Sequence, residues 1–291
     1  MIAAHGRHYL VEGGKNTSCL CVPRAKKSEV VCGDRVSYQP SGPRQGVIEA
    51  VLPRRNLFRR ASVQREKRIA ANVDQLVFVV ATRPVFSVSL LYRCLIAAEA
   101  EGMGALVLLN KCDVQEGLPV ARERLQGVDR LGYPLIEICA LDAAHAGFEG
   151  LHARLSGHKN VLVGQSGMGK STLLNALYPA ADARTREISS ALNSGKHTTT
   201  HATLYRLDDT ATLIDTPGLQ TFGLAHIGPE SLAEYFPEFA AYLGRCRYRD
   251  CRHDAESGCA LHSAVSAGDI GEDRLGLYRE LVREATPRVP Y

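Results

Sequence analysis

Apolar residues follow three different spacings along the 291-residue chain. Up to about residue 68 they come in short runs, at 8–11, 19–22, 30–32, 35–38 and 46–52, separated by Gly, Pro, Asn and Asp. Such runs predict short strands joined by turns. So many strands in so short a segment suit a small barrel such as an OB-fold, a common oligonucleotide binder. Cys19 and Cys21 sit at alternating strand spacing, which reads as strand side chains rather than half of a metal site. From about Arg68 the pattern alternates between α and β. Residues 75–81 and 105–109 are continuously apolar, as in strands buried on both faces of a parallel sheet. Helices are predicted at 90–101, 120–131 and 147–155, and strands at 134–140, 161–163, 202–207 and 211–214. Beyond residue 226 helices are predicted at 232–242 and 272–284, around a Cys/His-rich interruption. The expected division is a barrel over 1–68, an α/β domain over 69–225 and a mainly helical domain over 226–291.

Charge sharpens the first boundary. Residues 1–68 carry 14 Lys/Arg against 5 Asp/Glu, a net of +9. Residues 69–225 carry 13 against 15 and residues 226–291 carry 8 against 11, so the basic character is N-terminal. A polyanionic partner, most simply nucleic acid, is expected there. The tail of that segment, residues 53–60, holds four arginines and Phe58, which suits phosphate contacts with base stacking. No apolar run is long enough to span a membrane, and the N-terminus lacks the apolar stretch of a signal peptide. A cytoplasmic protein without membrane contact is expected, its nine cysteines serving as thiols or metal ligands rather than disulfides.

The chemistry begins at Gly164-Gln165-Ser166-Gly167-Met168-Gly169-Lys170-Ser171, followed by Thr172 at the start of a predicted helix. Strand, glycine-rich loop, Lys-Ser and helix make a P-loop. The glycines let backbone N–H groups turn around phosphates, and the helix N-terminus adds free donors. Lys170 can reach the β- and γ-phosphates, and the Ser171 hydroxyl can ligate Mg²⁺. Asn110-Lys111-Cys112-Asp113, at the end of a buried strand, has the guanine-reading form. The Asp113 carboxylate can accept both the ring N–H and the exocyclic amine of guanine, a pattern that adenine does not offer. Cys139-Ala140 stands where a second base-contacting loop follows the next strand. Asp215-Thr216-Pro217-Gly218 supplies an Asp for Mg²⁺ and a Gly218 N–H for the γ-phosphate. Between the two phosphate motifs, Gly195-Lys196-His197-Thr198-Thr199-Thr200 is placed to close over them. Thr199, with Thr198 as the alternative, is the expected Mg²⁺ ligand. Leu219 cannot orient water, so slow intrinsic hydrolysis is expected, and His197 is the candidate to position the water.

Asn110 precedes the P-loop, the reverse of the usual GTPase order. The same sheet results if the domain is circularly permuted, which places Asp215–Gly218 at its C-terminal end. Directly beyond lie Cys246, Cys251, His253 and Cys259. Three thiolates and one imidazole form a closed tetrahedral Zn²⁺ set, one ion per chain. A redox cysteine pair would leave His253 unused.

These motifs, in this order, resemble the bacterial ribosome small subunit-dependent GTPase A family over nearly the whole chain. Cys32-Gly33-Asp34-Arg35-Val36 and Ala71-Asn72-Val73-Asp74-Gln75 add to the likeness. Lys196 departs from the family's Arg, and Cys139 from its usual Ser. The resemblance implies an OB-fold, a permuted GTPase domain and a zinc-binding C-terminal domain. It implies GTP hydrolysis to GDP and phosphate, stimulated by the small ribosomal subunit, and a role in late maturation of that subunit through its rRNA. A monomer is expected. Two other functions are compatible with the residues: an RNA-binding nucleotide latch with little hydrolysis, and a permuted GTPase acting on the large subunit.

Overall fold

The computed structural model describes residues 1–5, 7–13, 17–24, 29–181 and 202–286. Its N-terminal strands are β1 (Ala3–His5), β2 (His8–Glu12), β3 (Ser18–Pro23), β4 (Val36–Gly42) and β5 (Gln45–Val51). They pair in the order β1-β2-β3-β5-β4, with β3 parallel to β5 and the other pairs antiparallel. Alternate residues Tyr9, Val11, Cys19, Cys21 and Ile48 face one small core, so Cys19 and Cys21 are strand side chains. Residues 30–32, predicted as a strand, contribute only a bridge from Cys32 to Ala70.

A separate hairpin follows, β6 (Leu57–Ala61) with β7 (Glu66–Ala71). The expected boundary at residue 68 falls inside β7. Here the structure corrects the reading of the basic tail. Phe58 is fully buried and stacks on Phe222 at 5.2 Å between ring centroids, so it cannot stack on a base. Arg54 pairs with Asp34 at 2.7 Å, Arg55 with Asp74 at 2.6 Å and Arg59 with Glu66 at 3.5 Å. All three thus pair within the chain, and Arg59 lies on β6, which the segment around Phe222 covers. Ala61 N–H donates to Gly223 O and Ala225 N–H donates to Ala61 O, which sews that segment to β6. A Cβ on Gly223 would fall inside van der Waals contact of Ala61 O. Gly223→Ala is expected to destabilise the fold by about 1–3 kcal/mol, as read by denaturant unfolding.

The α/β part comprises β8 (Gln75–Ala81), α1 (Val88–Ala100), β9 (Gly104–Asn110), α2 (Leu118–Arg130), β10 (Leu135–Glu137), α3 (Gly147–Leu155), β11 (Lys159–Val163), α4 (Lys170–Leu177), β12 (Thr203–Arg206) and β13 (Thr212–Asp215). All seven β8 residues are buried, as a strand covered on both faces requires. The spatial order is β10-β9-β8-β11-β13-β12. The first five strands are parallel, and β12 is antiparallel to β13. The P-loop strand β11 lies in the middle of this sheet although β8 to β10 precede it in the chain. That is the arrangement a permuted GTPase needs. Parallel strands bring their C-terminal ends to one edge, where ligands bind in open α/β sheets. The loops after β8, β9, β10, β11 and β13 all open there. Strand β1 pairs with β12, so the N-terminal strands extend the same sheet.

The C-terminal part holds α5 (Ala260–Ala267) and α6 (Glu272–Ala285). The helix expected at 232–242 is instead two 3₁₀ turns, Leu232–Tyr235 and Pro237–Phe239. Pro237 has no N–H to continue a helix and holds Phe236 extended (φ −107°, ψ 101°). The apolar residues of that stretch still reach the core: Phe236, Phe239 and Tyr278 pack ring against ring. Among the described residues, no helix is long and apolar enough to cross a membrane.

Candidate functional site

The phosphate loop turns on glycines. Gly164, Gly167 and Gly169 have φ of 149°, 81° and 89°, backbone that other residues rarely adopt. At Gly164 and Gly169 a Cβ would also collide with Val79 O and with the Asn110 amide. Lys170 opens α4 and folds back over the loop, donating to Gly164 O and Gln165 O at 2.9 Å each. It is buried, and burial lowers its pKa while the nearby Asp215 charge opposes the shift. Gln165 Oε1 accepts from Ser87 N–H at 2.6 Å, tying the loop to the residue that caps α1. Met168 is buried beneath the loop, whereas Ser166 and Ser171 are exposed and Thr172 is half-buried.

Asn110 joins the two halves of the site. Its amide donates to Met168 O at 2.9 Å and accepts from Ala140 N–H at 3.0 Å. One side chain therefore locks the phosphate loop to the loop after β10. Lys111 takes a left-handed backbone (φ 61°), and its amine donates to Gly167 O and Arg83 O at 2.8 and 2.9 Å. Thr82 Oγ1 donates to Lys111 O at 2.9 Å and fixes that turn. Asp113 is left exposed at the loop tip, without a side-chain partner among the described residues. Cys112 is buried, its N–H bonds Ile138 O, and burial pushes its thiol up to about 11. Cys139 and Ala140 are buried beside it, and Leu141 is exposed.

Asp215, at the end of β13, is buried, and its Oδ1 has no hydrogen-bond partner. Burial raises its pKa to about 6, while Lys170 and the Thr216 N–H pull the other way. A desolvated carboxylate oxygen without a donor, beside the phosphate loop, fits a divalent cation. Thr216 Oγ1 anchors the loop on Leu162 O at 2.7 Å, and Leu219 N–H bonds Gly164 O at 3.0 Å. A Cβ on Gly218 would stand 3.0 Å from Ser166 N, tight enough that the two loops would have to move apart by a few tenths of an ångström. Leu219 is buried, consistent with its exclusion as a water-orienting group. His197, Thr198 and Thr199 lie outside the described residues.

The second cluster is Cys246, Cys251, His253 and Cys259, whose ligand atoms all lie within 4.8 Å of one another. His253 Nδ1 stands 3.5, 3.6 and 3.4 Å from the three sulfurs. A tetrahedral zinc ion with ordinary Zn–S and Zn–N lengths would set such N···S separations at about 3.6 Å, so the residues fit the ion. His253 reaches this position through a left-handed backbone, φ 61°. Cys259 stands at the N-terminus of α5, and Ala260 N–H donates to Cys246 Sγ at 3.3 Å.

Thr82, Ser87 and Asn110's double role escape sequence reading, because each acts on a residue far along the chain. Thr82 follows directly on a buried strand, the one local signal it offers.

A model of the RsgA GTPase family matches residues 51–225. The small ribosomal subunit biogenesis GTPase RsgA of Burkholderia pseudomallei (strain K96243) is 51% identical over 287 residues, covering 98% of this chain and 91% of that protein. The protein of the same name from Paraburkholderia phymatum is 49% identical over 288 residues, with the same two coverages. Among solved structures, YjeQ from Thermotoga maritima matches with a TM-score of 0.71 and 31% identity, covering 99% of this chain and 98% of that one. YloQ, described as a circularly permuted GTPase, matches with a TM-score of 0.69 and 26% identity, covering 100% and 95%.

Proposed function

The chain belongs to the RsgA GTPase family, and from that premise we propose that it hydrolyses GTP in the late maturation of the small ribosomal subunit, stimulated by that subunit. The observation that carries the nucleotide reading is Asn110, which holds the guanine-type loop and the phosphate loop on one sheet edge. In this reading Asp113 accepts from the guanine ring N–H and amine, and the Cys139-Ala140 loop lies at the purine edge. The loop of Gly164–Thr172 wraps the phosphates, and Lys170 holds the β- and γ-oxygens. Ser171, Asp215 and Thr199 would hold Mg²⁺, which supplies charge neutralisation across the phosphate oxygens. Gly218 offers its N–H to the γ-phosphate, and His197 positions the water. Cys246, Cys251, His253 and Cys259 would hold one structural Zn²⁺.

The proposed organisation is an OB-fold over 1–68, a permuted GTPase domain over 69–225 and a zinc-binding domain over 226–291. The order β1-β2-β3-β5-β4, with its parallel β3–β5 pair, supports the OB reading. The basic N-terminal segment supports rRNA as the partner, and the work is assigned to a cytoplasmic monomer.

Hydrolysis measured alone and with each separated ribosomal subunit tests the function. Large stimulation by the small subunit only is expected. Stimulation by the large subunit would reassign the partner, and GTP left intact with either would make the chain a nucleotide latch. Asp113→Asn tests the base reading. Losing hydrogen bonds to a charged acceptor costs about 1.5–3 kcal/mol. Competition of GTP against xanthosine triphosphate should therefore shift toward the latter by about tenfold or more. Unchanged competition would remove Asp113 from the base site.

A further inference from the structure

Arg93 lies on α1 and is 8% exposed. Its guanidinium bonds both carboxylate oxygens of Glu284 at 2.7 and 2.8 Å and Glu280 Oε1 at 2.8 Å. Nη1 also reaches Phe222 O at 3.5 Å, and Nε reaches Ser89 Oγ at 3.4 Å. All five of its N–H donors therefore have an acceptor. The acceptors come from three places: α1 itself, the C-terminal helix α6, and the segment that follows Gly218. A lysine could not serve all three, because it lacks the planar fork.

The surroundings make this junction specific. Phe222 is sewn into the β6 hairpin through its ring, through Arg60, which donates to Thr221 O at 2.7 Å, and through Gly223 and Ala225. The N-terminus of α1 is held by Gln165 of the phosphate loop. A second cation strengthens the α1–α6 seam: Arg274 of α6 lies over the Tyr92 ring at 4.2 Å and pairs with Glu238. The nucleotide loops and the metal-bearing module thus meet at one buried guanidinium.

We propose that Arg93 is a positioning residue that locks α6 to the segment following the Asp215–Gly218 loop, so that a shift of that segment between GTP and GDP states reaches the C-terminal module. This rests on the reading of Gly218 as the γ-phosphate sensor. Hydrogen exchange on the full chain tests it, with GDP or a non-hydrolysable GTP analogue bound. In the wild type, exchange in both 216–225 and α6 should differ between the two nucleotides. In Arg93→Met the difference should persist in 216–225 and vanish in α6. Glu280→Gln/Glu284→Gln should do the same; both carboxylates are partly exposed, with side-chain exposures of 53% and 40%, so this variant carries the test if Arg93→Met fails to fold. Arg93→Lys, which keeps the charge, should retain only part of the α6 response. Subunit-stimulated kcat should fall about 2- to 30-fold, with KM for GTP unchanged. A full α6 response in the folded variants overturns the proposal and leaves the nucleotide site standing. No response at 216–225 in the wild type overturns the sensor reading and the proposal with it.

Discussion

Lys170→Ala is expected to lower GTP turnover by about 10²- to 10³-fold, the scale seen when one donor to a developing anion is removed. The reason lies in how the amine is held. Two of its three N–H groups are spent on Gly164 O and Gln165 O, which fixes it over the loop proposed to receive the phosphates. Burial works against its charge, and Asp215 is the charge that favours it. Bringing phosphate oxygens beside a desolvated, pre-aimed ammonium gives charge-assisted bonds that a water-filled gap cannot replace. The measurement is single-turnover hydrolysis at saturating GTP and small subunits, so that a change in KM does not obscure the step. Zinc content matching the wild type would show that the C-terminal module is intact. A wild-type rate would remove Lys170 from the phosphate site.

The features most legible in the chain were the contiguous ones. A phosphate loop needs glycines, a lysine and a hydroxyl in one short run between strand and helix, and Gly164–Ser171 offers that run between β11 and α4. Asn110–Asp113 does the same once a buried strand precedes it. The permutation could be read because motif order and strand order are both linear properties, and the sheet order agrees. Phe58 was misread for the opposite reason. Its local company is arginine, which suggests a wet nucleic-acid face, but its partner Phe222 arrives from the far end of the GTPase part. The broken helix at 232–242 did carry a local signal, Pro237, which apolar periodicity outweighed. Arg93 sits in an ordinary amphipathic helix, and only folding shows that two glutamates and a carbonyl converge on it.

Loss of the metal set is expected to have the second large effect. The loop between residues 246 and 259 has little apolar core of its own; Cys259 is its one deeply buried apolar residue. Burial and the neighbouring Cys246 and Cys259 thiols raise the Cys251 pKa, with the His253 N–H opposing. Without a cation only the weak contacts of the three sulfurs with His253 Nδ1 hold the cluster together. With one, binding free energy becomes folding free energy, about 10–16 kcal/mol in small zinc-finger peptides near neutral pH. Cys251→Ala should therefore lose the bound zinc, and the 246–259 loop should become open to protease and to rapid hydrogen exchange. The damage should stop short of α6, which is held separately by Arg93, Arg274 and the cluster of Phe236, Phe239 and Tyr278. GTP binding should accordingly survive. His253→Ala separates this from a redox pair: a disulfide has no use for the imidazole, whereas a four-ligand site loses its nitrogen donor. If His253→Ala retains zinc and resists protease as the wild type does, the metal assignment is wrong.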